Sequence, residues 1–427
     1  MNDPTPPFAA PVGTHDVLGP ASAQWEGLIS RFADWTYRYG FSLVLTPIFE
    51  DEGVFSRGIG EGSDVFRKEM YVFEDRGKRR YALRPEGTAS VVRAFVQHRP
   101  TTPWKAWYVT PAFRYERPQK GRYRQHHQLG VEVIGTDDPA VDVEVIALAG
   151  GFYRSIGLER LRLLINSMGH GACRAAYLAA LSEYLEGHEL SLCDEHRTQW
   201  RRNALRVLDC KRPECVTVTD AGPFLVDWLC EPCRAHFDAV VGGLAEVGIS
   251  GTLSPRLVRG FDYYTRTTFE FVSDALDGAQ NAVGGGGRYD GLTERLGGPP
   301  TSGVGFGSGV ERLLLARTAE GRVDPLIERT LDVFVVDGGE GGPIGPLVER
   351  LRRAGLAVER AYDGRSLKAQ MKVADRSGAR LALLVGTEGP GSTVTIRDLR
   401  ASESTQQRVP EHELVEALTD RLTKTRL

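Results

Sequence analysis

No stretch of this 427-residue chain is apolar for the roughly 20 residues that a membrane-crossing helix needs. The first residues, MNDPTPPFAAPVGTHD, have neither the basic start nor the apolar run of a secretory signal. The expectation is a cytoplasmic protein with no membrane partner. Cysteine is scarce. Six in a chain this long do not make a disulfide scaffold. A large charge of one sign is also missing. The formal net charge is −3, so any site for a polyanion must be a local patch. No glycine-rich loop closes on Gly-Lys-Ser or Gly-Lys-Thr, so a nucleotide here would have to be held without a P-loop. There is no internal repeat and no low-complexity tract.

What is present is ordinary in bulk and uneven in detail. Hydrophobic residues make up 41% and charged residues 26%, and the length supports two or three domains with a large core. Trp25, Leu28, Phe32, Trp35 and Tyr39 recur at steps of three and four, which is one face of a helix. That stripe reads as core packing, with a subunit interface as a compatible second role. FSLVLTPIFE reads as a strand, with Pro47 marking a sheet edge or strand end. MYVFED and RRYALRPEG read as strands, TASVVRAFVQHR as a helix, and KAWYVTPAFRYER and QHHQLGVEVIG as two strands around a basic loop. AVDVEVIALAGGFYRSIG reads as a helix and RLRLLIN as a strand. Residues 171–251 change composition, look helical, hold all six cysteines and read as an insertion. Strands return with YYTRTTFEFVS. A glycine-rich turn is expected next, and then a helix at GVERLLLARTA.

The pattern changes again after Pro325. LDVFVVD, LAVERAY and RLALLVG are short apolar runs of the buried-strand type, alternating with helical segments at GPLVERLRRAG and SLKAQMKVADRSG. TVTIRDL adds a strand and EHELVEALTDRLTK a last helix. The expected organisation is an α+β domain over 1–325, an antiparallel sheet with flanking helices and a helical insertion at 171–251. A smaller α/β domain follows over 330–427.

The densest chemistry lies in FRYERPQKGRYRQHHQLGVEVIG, where Arg114, Arg117, Lys120, Arg122 and Arg124 crowd together in a mildly acidic protein. Arg259 sits in LVRGFDYY, and Arg312 opens a helix after glycines. A guanidinium offers paired planar donors that match phosphate oxygens, and it stays charged. For any one arginine alone a solvated surface is the default reading. His126 and His127 read as packed or hydrogen-bonded, not as a metal site. Cys210 and Cys215 form a C-x4-C and Cys230 and Cys233 a C-x2-C, with Cys193 and His196 before them. That spacing can build structural zinc, although the first pair is loose. Reduced thiols in a helical subdomain are the preferred reading, and no metal is assigned.

Together these stretches resemble the class II aminoacyl-tRNA synthetases, and among them the histidyl-tRNA synthetase family. GFSLVLTPIFED with its preceding helix resembles that class's motif 1, FRYERPQKGRYRQHHQLGVEVIG its motif 2, and GVGFGSGVERL its motif 3. LVRGFDYYTRTTFEF and GGGGRYDGL point to histidine, and RPEGTASVVRAF fits as well. The resemblance covers nearly the whole chain, most weakly the insertion. It implies ATP as a substrate with Mg2+, L-histidine, histidine tRNA, a homodimer, and an anticodon-binding C-terminal domain.

Residue by residue, the resemblance implies that Arg114, Glu116, Arg122 and Arg312 hold ATP, with Arg114 at the α-phosphate. Arg259 would reach both the substrate carboxylate and that phosphate. Glu86, Thr88 and Gln128 would hold the backbone end of histidine, and Glu132, Tyr263, Tyr264 and Tyr289 its side chain. Strand packing is the simpler reading of Tyr263, and a helix-end charge is the alternative for Glu86. Arg117 and Gln119 would meet the tRNA acceptor end, and Lys368, Lys372 and Arg376 are candidates for further phosphate contact, with a solvated helix face an equal reading. The rival reading is the histidine-sensing regulatory subunit of ATP phosphoribosyltransferase. That group lacks the anticodon-binding domain and tends to depart from RGFDYY, whereas this chain keeps both.

Overall fold

The aromatic stripe near the start of the chain folds as helix α1 (Ala21–Arg38), in a computed structural model that describes residues 8–60, 63, 65–276, 281–324, 326–327, 330–339, 344–386, 393–401 and 406–424. Leu28 and Phe32 are fully buried, and Trp25, Trp35 and Tyr39 pack against the same core. FSLVLTPIFE, expected as one strand, is two. β1 (Ser42–Leu43) and β2 (Phe49–Asp51) belong to different sheets. Pro47 lies between them and has no N–H to continue a ladder. Helix α2 (Glu52–Ile59) is capped by Asp51, whose side chain accepts the Gly53 N–H. β3 (Val72–Glu74) and β4 (Arg80–Leu83) complete a small sheet with β2.

Helix α3 (Thr88–His98) leads into the long hairpin of β5 (Trp104–Phe113) and β6 (Gln125–Ile134). Helix α4 (Pro139–Ser155), with Pro139 in its first turn and Asp138 as its cap, precedes β7 (Leu161–Ser167). The insertion consists of α5 (Gly171–Gly187), α6 (Asp194–Gln199), α7 (Leu205–Leu208), α8 (Pro213–Asp220) and α9 (Glu231–Glu246). Its first four helices share a small core of their own around Tyr177, Leu181, Trp200 and Leu208. Helix α9 differs: Phe237, Val240 and Leu244 pack into the main core.

The return to the sheet corrects one expectation. The glycine-rich turn is two strands. After β8 (Gly251–Leu253) and β9 (Thr265–Ser273) come β10 (Ala282–Arg288), α10 (Leu292–Arg295), β11 (Gly303–Gly309) and α11 (Val310–Ala319). Glycine is a poor strand former by itself. Here β9 and β6 supply ladders on both sides, so AVGGGGR and GVGFGSG extend between them. The result is an eight-stranded sheet in the order β1-β5-β6-β11-β10-β9-β7-β8. It is antiparallel through its centre, and the two edge pairs β1–β5 and β7–β8 are parallel.

One face of this sheet carries Leu129, Val131, Val133, Phe269, Phe271, Val304 and Phe306 against α1, α4 and α11. A buried charge group pins the assembly. Arg288 donates to Asp142 at 2.5–3.2 Å and to the carbonyls of Thr136 (3.1 Å) and Asp138 (2.9 Å). His236 of α9 reaches the same carboxylate at 3.5 Å. Both Arg288 and Asp142 are fully buried.

The chain divides into two units, Met1–Ile327 and Glu328–Leu427. Pro325, where the sequence changes pattern, lies outside the described residues. The second unit holds β12 (Val333–Asp337), α12 (Ile344–Arg353), β13 (Val358–Arg360), α13 (Leu367–Arg376), β14 (Leu381–Val385), β15 (Thr393–Asp398), β16 (Gln406–Pro410) and α14 (Leu414–Lys424). Its sheet runs β13-β12-β14-β15-β16. β16 has no apolar alternation to announce it, since QQRVP is polar, and it exists through its ladder to β15. Among the described residues no helix is long and apolar enough to cross a membrane.

Candidate active site

The second face of the large sheet is nearly bare. Side chains alternate along strands, so register decides which residues share a face. Gln128, Gly130 and Glu132 of β6 lie opposite Gly309, Gly307 and Gly305 of β11. Gly305 and Gly307 in turn face Gly287 and Gly285 of β10, and those face Thr268 and Glu270 of β9. Three adjacent strands thus expose backbone over the middle of this face. The bareness is enforced: a Cβ on Gly305 would overlap Glu132 Oε2, and one on Gly285 would lie 2.8 Å from Arg259 Nη1. A cavity of about 950 Å³ lies over this floor.

Glu86, Thr88 and Tyr108 line the cavity, while Glu132 and Tyr289, hydrogen-bonded to each other, lie outside its lining. Glu132 is fully buried. It accepts from Thr88 Oγ1 at 2.7 Å, Tyr289 OH at 2.6 Å and Tyr108 OH at 3.4 Å. Burial pushes its carboxyl up to about 8, against the pull of those hydroxyls. Tyr263 and Tyr264 line the cavity with ring centroids 4.6 Å apart, and Tyr263 also meets Tyr289 edge-on at 6.0 Å. Gln128 Oε1 accepts the Gly87 N–H at 3.0 Å, which leaves its amide nitrogen as the donor end. Glu86 caps α3, accepting the Thr88 N–H at 2.5 Å and the Ala89 N–H at 2.8 Å. Burial raises its carboxyl too. The helix-end role is therefore real, and Glu86 also lines the cavity.

Three arginines far apart in sequence, Arg114, Arg259 and Arg312, line the same cavity. Arg114 follows β5, donates from Nε to the Pro85 carbonyl at 2.9 Å and lies over the Phe261 ring. Burial pulls its guanidinium below the usual arginine range, while Glu69 and Glu86 push back. Arg259 donates from Nη1 to Glu270 at 2.6 Å and lies 5.6 Å from the centre of the Tyr264 ring. Burial works against its charge, yet Glu270 and the two tyrosines hold its value above the usual one. Its Nε is buried with no hydrogen-bond partner. A buried donor of that kind costs free energy unless a ligand meets it.

The basic loop between β5 and β6 is a tight hairpin tip. Gln119 and Arg122 exchange backbone hydrogen bonds at 2.9 and 3.0 Å. Arg122 pairs with Glu116, and both line the cavity. Arg117 and Gln119 are exposed at the tip and do not line it. Of the histidine pair, His126 lines the cavity and is held neutral, its value lowered to about 3 by burial and then by Arg114. His127 is tied to Glu311, with Nδ1 2.9 Å from Oε1. In the second unit Lys368, Lys372 and Arg376 are exposed along α13.

Reading the sequence missed Tyr108, Glu270 and Glu311, each of which lines the cavity. Tyr108 could have been found from the alternation Ala106, Tyr108, Thr110, Ala112 along β5, which puts it beside Glu132 once β6 is paired. Glu270 had no such signal, because it is aligned with the cavity only through two glycine strands.

The histidyl-tRNA synthetase family model matches residues 13–313, and an anticodon binding domain model matches 346–421. A protein of Nocardia farcinica named histidine–tRNA ligase is 47% identical over 426 residues, covering 98% of this chain and 99% of its own. One of the same name from Mycobacterium tuberculosis is 48% identical over 402 residues, covering 93% and 94%. The crystal structure of apo histidyl-tRNA synthetase from S. aureus superposes with a TM-score of 0.79 at 35% identity, covering 96% of this chain and 99% of that one.

Proposed function

This chain belongs to the histidyl-tRNA synthetase family, and we propose that it joins histidine to histidine tRNA in two steps over the bare face of its large sheet. In the first, the histidine carboxylate attacks the α-phosphorus of ATP. Histidyl-adenylate forms and pyrophosphate leaves. In the second, the terminal ribose hydroxyl of the tRNA attacks the adenylate carbonyl and AMP leaves. The chain is therefore a ligase of the aminoacyl-tRNA synthetase class.

The observation that carries this reading is the meeting of Arg114, Arg259 and Arg312 in one cavity above a floor of glycines. The first step brings two anions together and builds charge on phosphoryl oxygens. Fixed cations lower that barrier, and holding both reactants in line removes much of the entropic cost. In this reading Arg259 bridges the histidine carboxylate and the α-phosphate, and Arg114 binds that phosphate from the motif 2 strand. Arg312 and Arg122 hold the outer phosphates, with Glu116 orienting Arg122. Glu116 and Glu311 are oxygen donors that fit a hard cation at this end of the cavity. They would hold a magnesium ion arriving with the nucleotide, which would supply neutralisation of the outer phosphates. No general base is required, because the attacking carboxylate is already ionised.

Histidine lies at the other end. Glu132 accepts an imidazole N–H, and Tyr264 and Tyr289 complete the pocket, with Tyr263 packing behind them. A site built to bond both ring nitrogens rejects analogues lacking them by about 10⁴–10⁵. Gln128, Thr88 and Glu86 take the ammonium and carboxylate end. The exposed loop with Arg117 and Gln119 meets the acceptor end of the tRNA. The C-terminal unit reads the anticodon stem, with Lys368, Lys372 and Arg376 toward phosphates. Charging of tRNA in this reading takes place in the cytoplasm. Two copies pair through the motif 1 segment, where Leu43, Leu45, Ile48 and Phe49 are exposed as an apolar strip.

The test is histidine-dependent exchange of labelled pyrophosphate into ATP, without tRNA. Wild-type protein should exchange, and Arg259→His should lose about 10²–10³-fold while keeping its circular dichroism. No exchange in folded wild-type protein would point to a histidine sensor instead of an enzyme. Near-normal exchange by the variant would remove Arg259 from the mechanism.

A further inference from the structure

The two cysteine pairs of the sequence each stay together but do not share one site. The fold sorts the six cysteines into two groups of three, each with one histidine. His170, Cys173, Cys230 and Cys233 form the first group, and Cys193, His196, Cys210 and Cys215 the second. Within each group the histidine nitrogen and the three sulfurs all lie within 4.8 Å of one another. We propose that each group binds one zinc ion through three thiolates and a histidine Nδ1, giving this chain two structural zinc sites in its insertion.

Distance, stoichiometry and chain geometry agree. Zinc sits about 2.3 Å from sulfur and about 2.0–2.1 Å from nitrogen, so a tetrahedral site has sulfur–nitrogen edges of about 3.6 Å. His170 Nδ1 lies 3.0, 3.9 and 3.6 Å from the sulfurs of Cys173, Cys230 and Cys233. His196 Nδ1 lies 3.2 and 3.9 Å from those of Cys193 and Cys215. All six thiols are free. Three sulfurs around one centre cannot all be consumed by disulfides within the group, because the number is odd. Three thiolates and an imidazole make the four-coordinate set of a structural site and favour zinc over magnesium or calcium.

The ligands are also presented as a metal requires. His170, Cys193 and Cys230 stand at the N-terminal ends of α5, α6 and α9, and Cys215 lies in the first turn of α8. Backbone N–H groups reach the sulfurs from there: Cys230 N–H donates to Cys173 Sγ at 3.2 Å, and Cys193 N–H to Cys215 Sγ at 3.4 Å. Such bonds favour the thiolate form that binds metal. The need is equally plain. α6, α7 and α8 have six, four and eight residues, and helices so short do not hold themselves in water. A metal staple in each half supplies what their small core lacks.

Each site is one residue from the catalytic cavity's wall. Arg174, next to Cys173, donates to the carbonyls of Asp262 and Tyr264. The Cys210 carbonyl accepts from Arg256 at 2.8 Å, and Arg256, Asp209 and Lys211 line the cavity.

The experiment is zinc determination by mass spectrometry on full-length protein, purified without chelators and desalted. About two equivalents per chain are expected. Titrating the six thiols with an organomercurial should release both, read with a colorimetric zinc indicator. This arm needs no mutant to fold. Cys233→Ser and Cys215→Ser should each retain one equivalent, and the double variant none. Background zinc in folded protein, with six thiols reacting at once or with fewer than six free, would overturn the proposal. One equivalent in wild-type protein would overturn the site whose variant leaves that value unchanged.

Discussion

The two large sheets of this protein solve opposite problems. In the C-terminal unit both faces are packed. Val333, Val335, Leu381 and Leu383 meet α12 and α14 on one side, while Phe334 and Val336 meet Ala374 of α13 on the other. In the N-terminal unit one face is packed as densely, and the other is stripped to glycine backbone and rimmed with buried charge. The first arrangement spends the side chains of its central strands on cohesion. The second leaves a face without apolar burial and tolerates a protonated carboxyl and a donor with no partner. A sheet can be a support or a workbench, and the register of alternate residues decides which.

Substitutions should separate the two. The largest effect is expected from Leu383→Ala, which empties a fully buried position in the packed sheet. It should cost about 2–5 kcal/mol of the C-terminal unit's stability and leave histidine-dependent exchange unchanged. All six tryptophans precede residue 229. The lost stability should therefore appear in circular dichroism during urea unfolding and not in tryptophan fluorescence. A matching fall in exchange would break the contrast.

Next is Gly285→Ala on the bare face. The added methyl meets Arg259 Nη1 and the Phe269 carbonyl, both at 2.8 Å. Displacing a catalytic group by about 1 Å costs on the order of 10²-fold, so exchange should collapse, while the clash with the Phe269 backbone carbonyl costs about 1–3 kcal/mol of stability. If stability fell and exchange survived, this face would be another packed one.

The smallest effect sharpens the contrast with pH. The Glu132 carboxyl is raised from 4.5 to about 8 in the folded chain. Below pH 4.5 it is protonated in both states and adds no pH-dependent term. Between 4.5 and 8 the unfolded chain ionises and the folded one resists, so stability falls as pH rises, and above 8 the full cost is present. Glu132→Gln has no proton to lose. Relative to its difference from wild type at pH 4.5, it should gain stability above pH 8 while losing histidine selectivity. Urea midpoints at the two pH values measure this, and parallel curves would sink it.

Much of this was legible from residue order alone. α1, α3, α4 and the β5–β6 hairpin announce themselves by period, and Arg114, Arg259 and Arg312 by the motifs around them. What stayed hidden depends on pairing across space. Glycine carries no alternation, so β10 and β11 looked like a turn. Glu270 and Tyr108 became neighbours of the site only once register was known. The cysteine spacings told part of the arrangement: Cys210 stays with Cys215 and Cys230 with Cys233, but the pairs fall in different groups, and His170 and Cys173 join the second pair from the far end of the insertion.

The buried contact of His236 with Asp142, the carboxylate that pairs with Arg288, has a practical consequence for anyone wishing to trim this enzyme. The insertion is not a detachable cassette. Its last helix is mortared into the catalytic fold, so excision from the first helix through the last would strip a histidine from a sealed ion pair and unroof it. A shortened version must close the gap before Glu231 and leave α9 standing.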